Sequence, residues 1–266
     1  MTLPVIDTAA LFDIKGKSAI VVGATGAFGK VACVALANAG ARLVITAGNA
    51  GALQELKAEL ESARASVRTV ALRPDCEAHC DAIVAQAVEA HGGVDILVVA
   101  SGMNDVALIQ DMTPDRFDAV IDANVTGAWL MARAAGRQML AQGRGGKVVL
   151  TSSARGKLGH PAGYSAYCTS KSAIDGMTKA LGCEWGKSGI TVNAIAPTVF
   201  RSPLTAWMFE DTERAKTVRE GFLQRVPVGR LGEPEDLAGP LLFLCSRASD
   251  FHTGHIVYAD GGYTAG

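Results

Sequence analysis

Residues 19–29 read Ala-Ile-Val-Val-Gly-Ala-Thr-Gly-Ala-Phe-Gly, and a segment of helical character follows from Lys30. The apolar run at 19–22 predicts a buried β-strand, and the closely spaced glycines behind it predict a tight turn. In this position a glycine-rich turn lets backbone N–H groups approach a pyrophosphate and directs the positive end of the next helix at it. The stretch therefore predicts the first strand–helix unit of a dinucleotide-binding fold.

The rest of the chain alternates short apolar runs with longer segments of helical period. The runs predict strands at 19–22, 43–46, 67–72, 96–99, 148–151, 191–195 and 255–258. The longer segments predict helices that include 31–39, 51–63, 81–91, 114–141 and 166–187. Strands that lack polar alternation indicate a parallel sheet buried on both faces. We therefore expect an α/β fold: one Rossmann-type doubly wound parallel sheet of about seven strands with helices on both faces, forming a single domain over residues 1–266.

Composition excludes several classes of partner. The 266 residues are 49% hydrophobic and 19% charged, with a formal net charge of -1. Without a basic run, the chain has no electrostatic signature of nucleic-acid or anionic-membrane binding. The most apolar stretch, at 18–41, is interrupted by glycines, Lys30 and Asn38, which argues against a membrane span. Residues 1–16 lack the features of a secretory signal. Because nucleic acid and membrane are disfavoured as partners, we expect small-molecule partners.

The cysteine pattern predicts reduced thiols and a cytoplasmic location. Six cysteines are scattered through a chain too long to need disulfide cross-links. Cys76, His79 and Cys80 are potential metal ligands, but no second pair at metal-site spacing completes the set. The sequence therefore predicts no metal site.

Tyr167 and Lys171 stand four residues apart, so a helix places both on one face. A lysine cation about 4 Å from the phenol would favour the phenolate by roughly 4 kcal/mol at an effective dielectric near 20. That interaction would lower the pKa of the phenol from its usual ~10 toward neutrality. The pair therefore predicts an acid–base catalyst, although the spacing alone also occurs on solvated helix faces. Tyr164 is a weaker candidate, because Cys168 stands where the lysine would be needed.

Together with the glycine turn, the pair resembles the classical short-chain dehydrogenase/reductase family, most closely its gluconate 5-dehydrogenase-type members, over nearly the whole chain. The resemblance implies an NAD(P)-dependent alcohol dehydrogenase or ketoreductase that transfers a hydride between nicotinamide and a secondary alcohol or ketone. A sugar acid, a polyol or another hydroxy compound would be the substrate. The residues that match the family's catalytic tetrad are Asn124, Ser153, Tyr167 and Lys171.

The resemblance also implies a role for each member of the tetrad. Tyr167 would exchange a proton with the substrate oxygen, and Ser153 would hydrogen-bond that oxygen. Lys171 would lower the pKa of Tyr167 and hold the nicotinamide ribose. Asn124 would position a water that passes protons to Lys171.

Other matches indicate how the cofactor would be held. We expect Asp75, at the end of the third strand, to accept a hydrogen bond from the adenine, and Gly102 to leave room for a ribose. The full set of expected cofactor contacts is Gly23, Thr25, Gly26, Ala27, Phe28, Gly29, Asn49, Asp75, Cys76, Ala100, Ser101, Gly102, Tyr167, Lys171, Pro197, Thr198, Phe200 and Ser202.

The chain departs from the family pattern at three places. Ala27 replaces the middle glycine of the turn, and Gly26 beside it is expected to restore the conformational freedom. Val99 and Ala100 replace a polar pair, and Thr198 replaces a glycine near the nicotinamide. These departures support an alternative, a dinucleotide-binding regulator or inactive paralogue, against which the intact tetrad argues.

The dinucleotide preference would be determined at the end of the second strand. An acidic residue there accepts the ribose hydroxyls of NAD, whereas an arginine pairs with the 2′-phosphate of NADP. Residues 46–49 read Thr-Ala-Gly-Asn and contain neither. The absence of a cation favours NAD, but Asn49, or Arg73 folding across, would reverse that preference.

The substrate is indicated less directly. Arg155, Lys157, His160 and Arg201 would surround one mouth and suit a carboxylate or a polyhydroxylated acid; alternatively they are solvated loop charges or subunit contacts. We expect substrate contacts from Ser153, Arg155, His160, Tyr167 and Trp207. Residues 202–226 form either a substrate lid or a surface helix pair. The family resemblance further implies a homotetramer or homodimer.

Overall fold

A computed structural model of the chain describes residues 6–203 and 205–266. Its seven strands form one sheet in the order β3-β2-β1-β4-β5-β6-β7, and every neighbouring pair is parallel. The strands are β1 (Ser18–Val22), β2 (Arg42–Thr46), β3 (Val67–Val70), β4 (Ile96–Val99), β5 (Gly146–Thr151), β6 (Ile190–Pro197) and β7 (Ile256–Ala259).

Helices connect the strands and cover the sheet. They are α1 (Thr8–Phe12), α2 (Ala27–Asn38), α3 (Ala50–Ser62), α4 (Glu77–His91), α5 (Pro114–Ile121), α6 (Gly127–Gln142), α7 (Ala154–Lys157), α8 (Ser165–Trp185), α9 (Glu213–Leu223) and α10 (Glu235–Cys245). None of the helices in residues 6–203 and 205–266 combines the length and apolarity that a membrane crossing requires.

Side-chain alternation along the strands produces two hydrophobic cores. Val21 points into a core with buried residues of α2, α3 and α10. Its neighbours Ile20 and Val22 point into the opposite core, with buried residues of α4, α6 and α8. Because successive side chains of a strand face opposite sides, a strand apolar at every position is buried on both faces. The predicted doubly wound sheet is confirmed.

The strand order reverses at β1, whose neighbours are β2 on one side and β4 on the other. The connections that leave β1 and β4 therefore diverge to opposite faces of the sheet. Divergence of this kind opens a crevice at the carboxyl ends of the strands, where doubly wound folds bind their ligands.

The observed elements differ from the predicted ones at a few boundaries. Strand β3 ends at Val70, two residues early, and α2 begins at Ala27, four residues early. The single helix predicted over 114–141 is interrupted by a π-helical turn at Asp122–Thr126. Periodicity did not indicate the interruption, because a π-helical turn of five residues is too short to break the pattern of apolar positions.

The segment at 202–226, apart from residue 204, which lies outside the described residues, contains a 3₁₀ turn (Ala206–Phe209) and α9. The two pack together, and Arg219 Nη1 donates to the carbonyl oxygen of Met208 at 2.7 Å. At the carboxyl end of the segment, Val226 is buried with Ala154 and Tyr263. The segment thus lies against α7 and the C-terminal residues.

Candidate active site

The glycine turn is fixed by close backbone approaches. Gly23 has φ of +75°, and a Cβ there would lie 2.6 Å from the backbone nitrogen of Ser101. Gly29 packs against the backbone of Gly23 with no space for a side chain. Gly26 has an ordinary φ of -73°, so the expectation that it restores freedom lost at Ala27 is wrong. Ala27 is exposed at the first position of α2, where its methyl group needs no compensation.

A cavity of about 720 Å³ opens beside this turn, at the carboxyl ends of β1 and β4. Of the residues expected to contact a cofactor, it is lined by Gly23, Thr25, Gly26, Asp75, Ala100, Ser101 and Gly102. Ser101 Oγ is buried and, among the described residues, has no hydrogen-bond partner. A bare glycine cradle and an unpartnered hydroxyl in one crevice fit a phosphate-containing ligand, so these residues are suited to a dinucleotide.

Several other lining residues were not among the expected cofactor contacts, although Arg73 was named as a residue that would change the dinucleotide preference. They are Val22, Ala47, Gly48, Leu72, Arg73, Pro74, Met103, Ala119, Asp122, Ala123, Thr126 and Gly127. Most belong to segments that follow β2 and β3 or to the π-helical turn, and their approach to the glycine turn depends on packing between strands. A search for positions just beyond each strand end would have found those after β2 and β3.

Some expected cofactor residues lie elsewhere or are already engaged. Phe28 is buried in the core under α2. Asn49 caps α3, since its Oδ1 accepts from the backbone N–H of Ala52 at 3.0 Å. Ser202 Oγ is hydrogen-bonded to Thr205 Oγ1 at 2.9 Å. The remaining ones outside the cavity are Ala27 and Gly29 in α2, Cys76 at the start of α4, Tyr167 and Lys171 in α8, and Pro197, Thr198 and Phe200, of which the last two line a second cavity of about 310 Å³.

Asp75 lies five residues beyond the end of β3 and not at its last position, as the sequence had suggested. Its Oδ1 is 2.6 Å from Nδ1 of His79, one turn into α4. This hydrogen bond is the largest factor that holds the pKa of Asp75 below its usual range. With Cys76, the two side chains form a group that could hold a metal ion beside the cavity; Asp75 and Cys76 are exposed and His79 is half-buried.

Asn124 lies within the π-helical turn and is buried. Its Nδ2 donates to the carbonyl oxygen of Met103 and to Oγ of Ser170, both at 2.9 Å, while its Oδ1 accepts from Met103 N at 2.7 Å. Ser170 Oγ in turn donates to the carbonyl oxygen of Tyr167 at 2.8 Å. The amide therefore ties the segment after β4 to the helix that carries Tyr167.

Ser153, Tyr167 and Lys171 come together at the carboxyl end of β5. Ser153 caps the start of α7, and its Oγ accepts from the backbone N–H of Arg155 at 3.1 Å. Lys171 is buried, with Nζ 5.5 Å from the centroid of the Tyr167 ring and 2.7 Å from the carbonyl oxygen of Thr151. The structure thus brings the hydroxyl, the phenol and the amine into one cluster.

The ionisation of the pair differs from the sequence prediction. Burial raises the pKa of Tyr167, and a hydrogen bond with Ser153 opposes that effect only in part. Burial also lowers the pKa of Lys171 to about 8, against a smaller opposing influence of Asp175. The predicted lowering of the phenol's pKa by Lys171 is wrong for this structure, because the estimate from charge alone omitted desolvation of both groups.

Asp175 is a buried carboxyl that sequence reasoning missed. It lies one turn beyond Lys171 on α8, and Oγ of Ser152 donates to its Oδ1 at 2.5 Å. Burial raises its pKa. Tyr167, Lys171 and Asp175 follow one another at intervals of four residues. Extending the Tyr–Lys spacing by one more helical turn would have identified Asp175.

The cations expected around the mouth largely have partners within the chain. Arg155 donates to Oη of Tyr263 at 2.9 Å, and Lys157 donates to the carbonyl oxygen of Thr264 at 2.9 Å. Arg201 makes a two-point ion pair with Glu233, with N···O distances of 2.8 and 3.0 Å.

His160 and Trp207 complete the set of expected substrate contacts. His160 packs against Tyr164 with ring centroids 4.5 Å apart. Burial, assisted by the charge of Arg155, lowers its pKa, so its cationic form is disfavoured. Trp207 lies in the 3₁₀ turn at Ala206–Phe209, with Arg214 5.1 Å above its ring.

Comparisons with known proteins agree with this geometry. A family model described as "Enoyl-(Acyl carrier protein) reductase" matches residues 23–264. The chain is 52% identical to an uncharacterized oxidoreductase of Mycobacterium tuberculosis, covering 96% of this chain and 94% of the relative. It is 37% identical to a galactitol 2-dehydrogenase (L-tagatose-forming) of Cereibacter sphaeroides, covering 97% and 99%.

Among solved structures, a gluconate 5-dehydrogenase from Burkholderia cenocepacia J2315 in complex with NADP and tartrate superimposes with a TM-score of 0.90. The sequences are 27% identical, and the match covers 98% of this chain and 100% of the other. The chain therefore belongs to the short-chain dehydrogenase/reductase family, and it is an NAD(P)-dependent oxidoreductase.

Proposed function

We propose that the enzyme interconverts a secondary alcohol and a ketone on a neutral polyhydroxylated substrate, with Tyr167 as the acid–base group. The cluster of Ser153, Tyr167 and Lys171 beside the large crevice carries the proposal. The Ser153 hydroxyl supplies a hydrogen-bond donor, and the Tyr167 phenol supplies a proton. The buried amine of Lys171 can return a proton to the phenol.

The crevice would hold the dinucleotide by its backbone. In our proposal the turn at 23–29 faces the pyrophosphate, and Ser101 supplies the hydroxyl that lacks a partner among the described residues. Asp75 at the rim would meet the adenine, with its carboxylate kept ionised by His79. When bound, the cofactor supplies or accepts the hydride.

The raised pKa of Tyr167 assigns it a direction of proton transfer. Near neutral pH the phenol is protonated, so it is ready to donate to a ketone oxygen as charge develops there. Ser153 Oγ accepts from Arg155 N and is hydrogen-bonded to Tyr167, so its O–H can turn from the phenol to the same substrate oxygen. Oxidation of an alcohol requires the phenol to lose its proton first and is therefore favoured at higher pH.

Lys171 is suited to carry a proton close to the phenol. Its pKa of about 8 means that the amine changes charge near physiological pH, unlike an exposed lysine. Asn124 would act behind it, because its amide is engaged with Met103 and Ser170 and holds the catalytic helix in place. A water between Asn124 and Lys171 remains a prediction.

The engagement of the nearby cations supports a neutral substrate. Arg201 is neutralised by Glu233, and Arg155 and Lys157 each use a donor on Tyr263 or Thr264, so fewer donors are left for a carboxylate. The relative that acts on galactitol has a neutral substrate by its name. We further infer that residues 202–226, apart from residue 204, form the substrate lid of a single domain, because Val226 packs against Ala154 beside Ser153. A homotetramer or homodimer and a cytoplasmic location remain predictions.

Replacement of the proposed acid–base group tests the mechanism. Tyr167→Phe removes one oxygen and is expected to lower kcat/KM by roughly 100-fold or more, because proton transfer to the substrate is lost. Dinucleotide affinity, measured by fluorescence titration, should stay within about threefold. Tyr164→Phe, whose ring centroid lies 6.3 Å away, is the matched control and should remain active. Unchanged turnover in Tyr167→Phe on every accepted alcohol and ketone would show the assignment to be wrong.

The close approach at the glycine turn leads to a binding prediction. Gly23→Ala combines positive φ with a clash at Ser101 and is expected to weaken dinucleotide binding at least tenfold. Gly92 has a similar φ of +79° but open space around it. Gly92→Ala therefore introduces the backbone strain without the clash and serves as the control. Calorimetric titration of both variants should show weakened binding in Gly23→Ala alone. Equal affinities would disprove the assigned role of the turn.

Burial of Lys171 predicts a pH-dependent stability. The folded pKa is about 8, below the 10.5 of a free lysine, so between these values the unfolded chain binds more protons and native stability rises with pH. Relative to Lys171→Met, the native enzyme should gain about 2 kcal/mol of unfolding free energy from pH 7.5 to pH 10. Urea denaturation at several pH values measures this gain. Lys179→Met, exposed on the same helix, should show no such trend, and a flat difference for Lys171→Met would contradict the prediction.

The substrate class is tested with matched pairs. Each polyol is compared with the aldonate of the same carbon chain, for example D-glucitol with D-gluconate, so that only a terminal carboxylate differs. We expect kcat/KM to be higher for the neutral member, because Arg155 is engaged with Tyr263. A tenfold preference for the acids that disappears in Arg155→Gln would instead establish a carboxylate site.

A further inference from the structure

Arg73 is a cation at the cofactor crevice to which the mechanism assigns no role. It lines the cavity together with Ala47 and Gly48, which follow β2. Arg73 is exposed, and no hydrogen bond or ion pair engages its guanidinium among residues 6–203 and 205–266. It therefore differs from Arg155 and Arg201, whose guanidinium groups have partners.

The backbone fixes Arg73 beside the end of β2. The buried Thr46, last residue of β2, donates from Oγ1 to the carbonyl oxygen of Leu72 at 2.6 Å. On the other side, Pro74 is buried against Gly127, where a Cβ would lie 3.0 Å from the proline carbonyl oxygen. Because Leu72 and Pro74 on either side are both held, the backbone of Arg73 has a fixed position beside the end of β2.

Gly48 provides the space that the guanidinium occupies. A Cβ on Gly48 would overlap Nε of Arg73 and would lie 3.1 Å from its Cζ. Gly48 has no positive φ, so backbone conformation does not require glycine there. The missing side chain matters because it lets Arg73 cross the end of the strand.

Neighbouring groups leave this position positively charged. Residues 46–49 contain no carboxylate, and Asn49 Oδ1 is used to cap α3. The closest acid in sequence, Asp75, is engaged by His79. The positive end of the α3 dipole begins at the same place and adds to the attraction for an anion.

We propose that Arg73 binds the 2′-phosphate of the adenosine ribose and makes the enzyme prefer NADP(H) over NAD(H). The end of β2 is where a doubly wound fold reads that ribose, and guanidinium groups pair well with phosphate. The sequence favoured NAD unless Asn49 or Arg73 folded across, and the contact between Arg73 and Gly48 supports that exception. The inference rests on the proposed dinucleotide site but not on the chemistry at Tyr167.

Binding of nucleotide fragments tests the proposal without turnover. Calorimetry with 2′,5′-ADP and 5′-AMP compares ligands that differ by the one phosphate. The native enzyme is expected to bind 2′,5′-ADP at least tenfold more tightly, and Arg73→Gln should remove most of that difference while leaving 5′-AMP affinity unchanged. Gly48→Ala, which displaces the guanidinium, should shift discrimination in the same direction. Arg68→Gln, an exposed arginine within β3, is the charge-matched control and should bind like the native enzyme.

The outcomes separate this inference from the proposed reaction. Equal native affinity for both fragments, or an equal loss of both in Arg73→Gln, overturns the role of Arg73. Failure of both fragments to bind the native enzyme overturns it together with the dinucleotide site. If Arg73 controls discrimination and Tyr167→Phe is nevertheless fully active, the specificity residue stands and the acid–base assignment fails. Unfolding midpoints confirm that each variant is folded.

Discussion

The close approach of three backbone segments at Gly23 is the constraint on which the site depends. The positive φ turns the chain out of β1, and the segment after β4 passes within a distance that excludes a Cβ. The backbone N–H groups of Gly23 and Ala24 both donate to the carbonyl oxygen of Thr46, at 2.9 and 3.0 Å. β1, β2 and β4 are thereby joined at their carboxyl ends, and the crevice lies between them.

Thr46 connects the two halves of the cofactor crevice. Its carbonyl oxygen holds the glycine turn, while its hydroxyl holds the carbonyl oxygen of Leu72. One buried residue thus positions both the segment expected at the pyrophosphate and the segment that presents Arg73. Because Thr46 is fully buried, loss of any of these three hydrogen bonds would leave an unsatisfied polar group at the base of the crevice.

The sequence predicted the sheet, its parallel connections and the strand positions within about two residues, because apolar runs and glycine turns are local signals. It also identified the residues that cluster at Tyr167. It named Arg73 as a residue that would fold across, but it did not reveal the contact with Gly48. It also did not reveal the π-helical turn around Asn124 or the partners of Arg155 and Arg201, which lie in segments distant in the chain. The prediction of a lowered pKa for Tyr167 was wrong for a related reason: a four-residue spacing does not show whether the side chains are buried.

Burial and catalysis are linked through α8. The helix places Tyr167, Lys171 and Asp175 on successive turns of one face, from a partly exposed phenol inward to a buried carboxyl. Desolvation raises the pKa of both acids and lowers that of the amine, so charge is disfavoured along the whole row. A proton added or removed at Tyr167 is therefore costly unless a neighbour adjusts. Lys171, with a pKa of about 8, is the member of the row whose charge changes most readily at physiological pH.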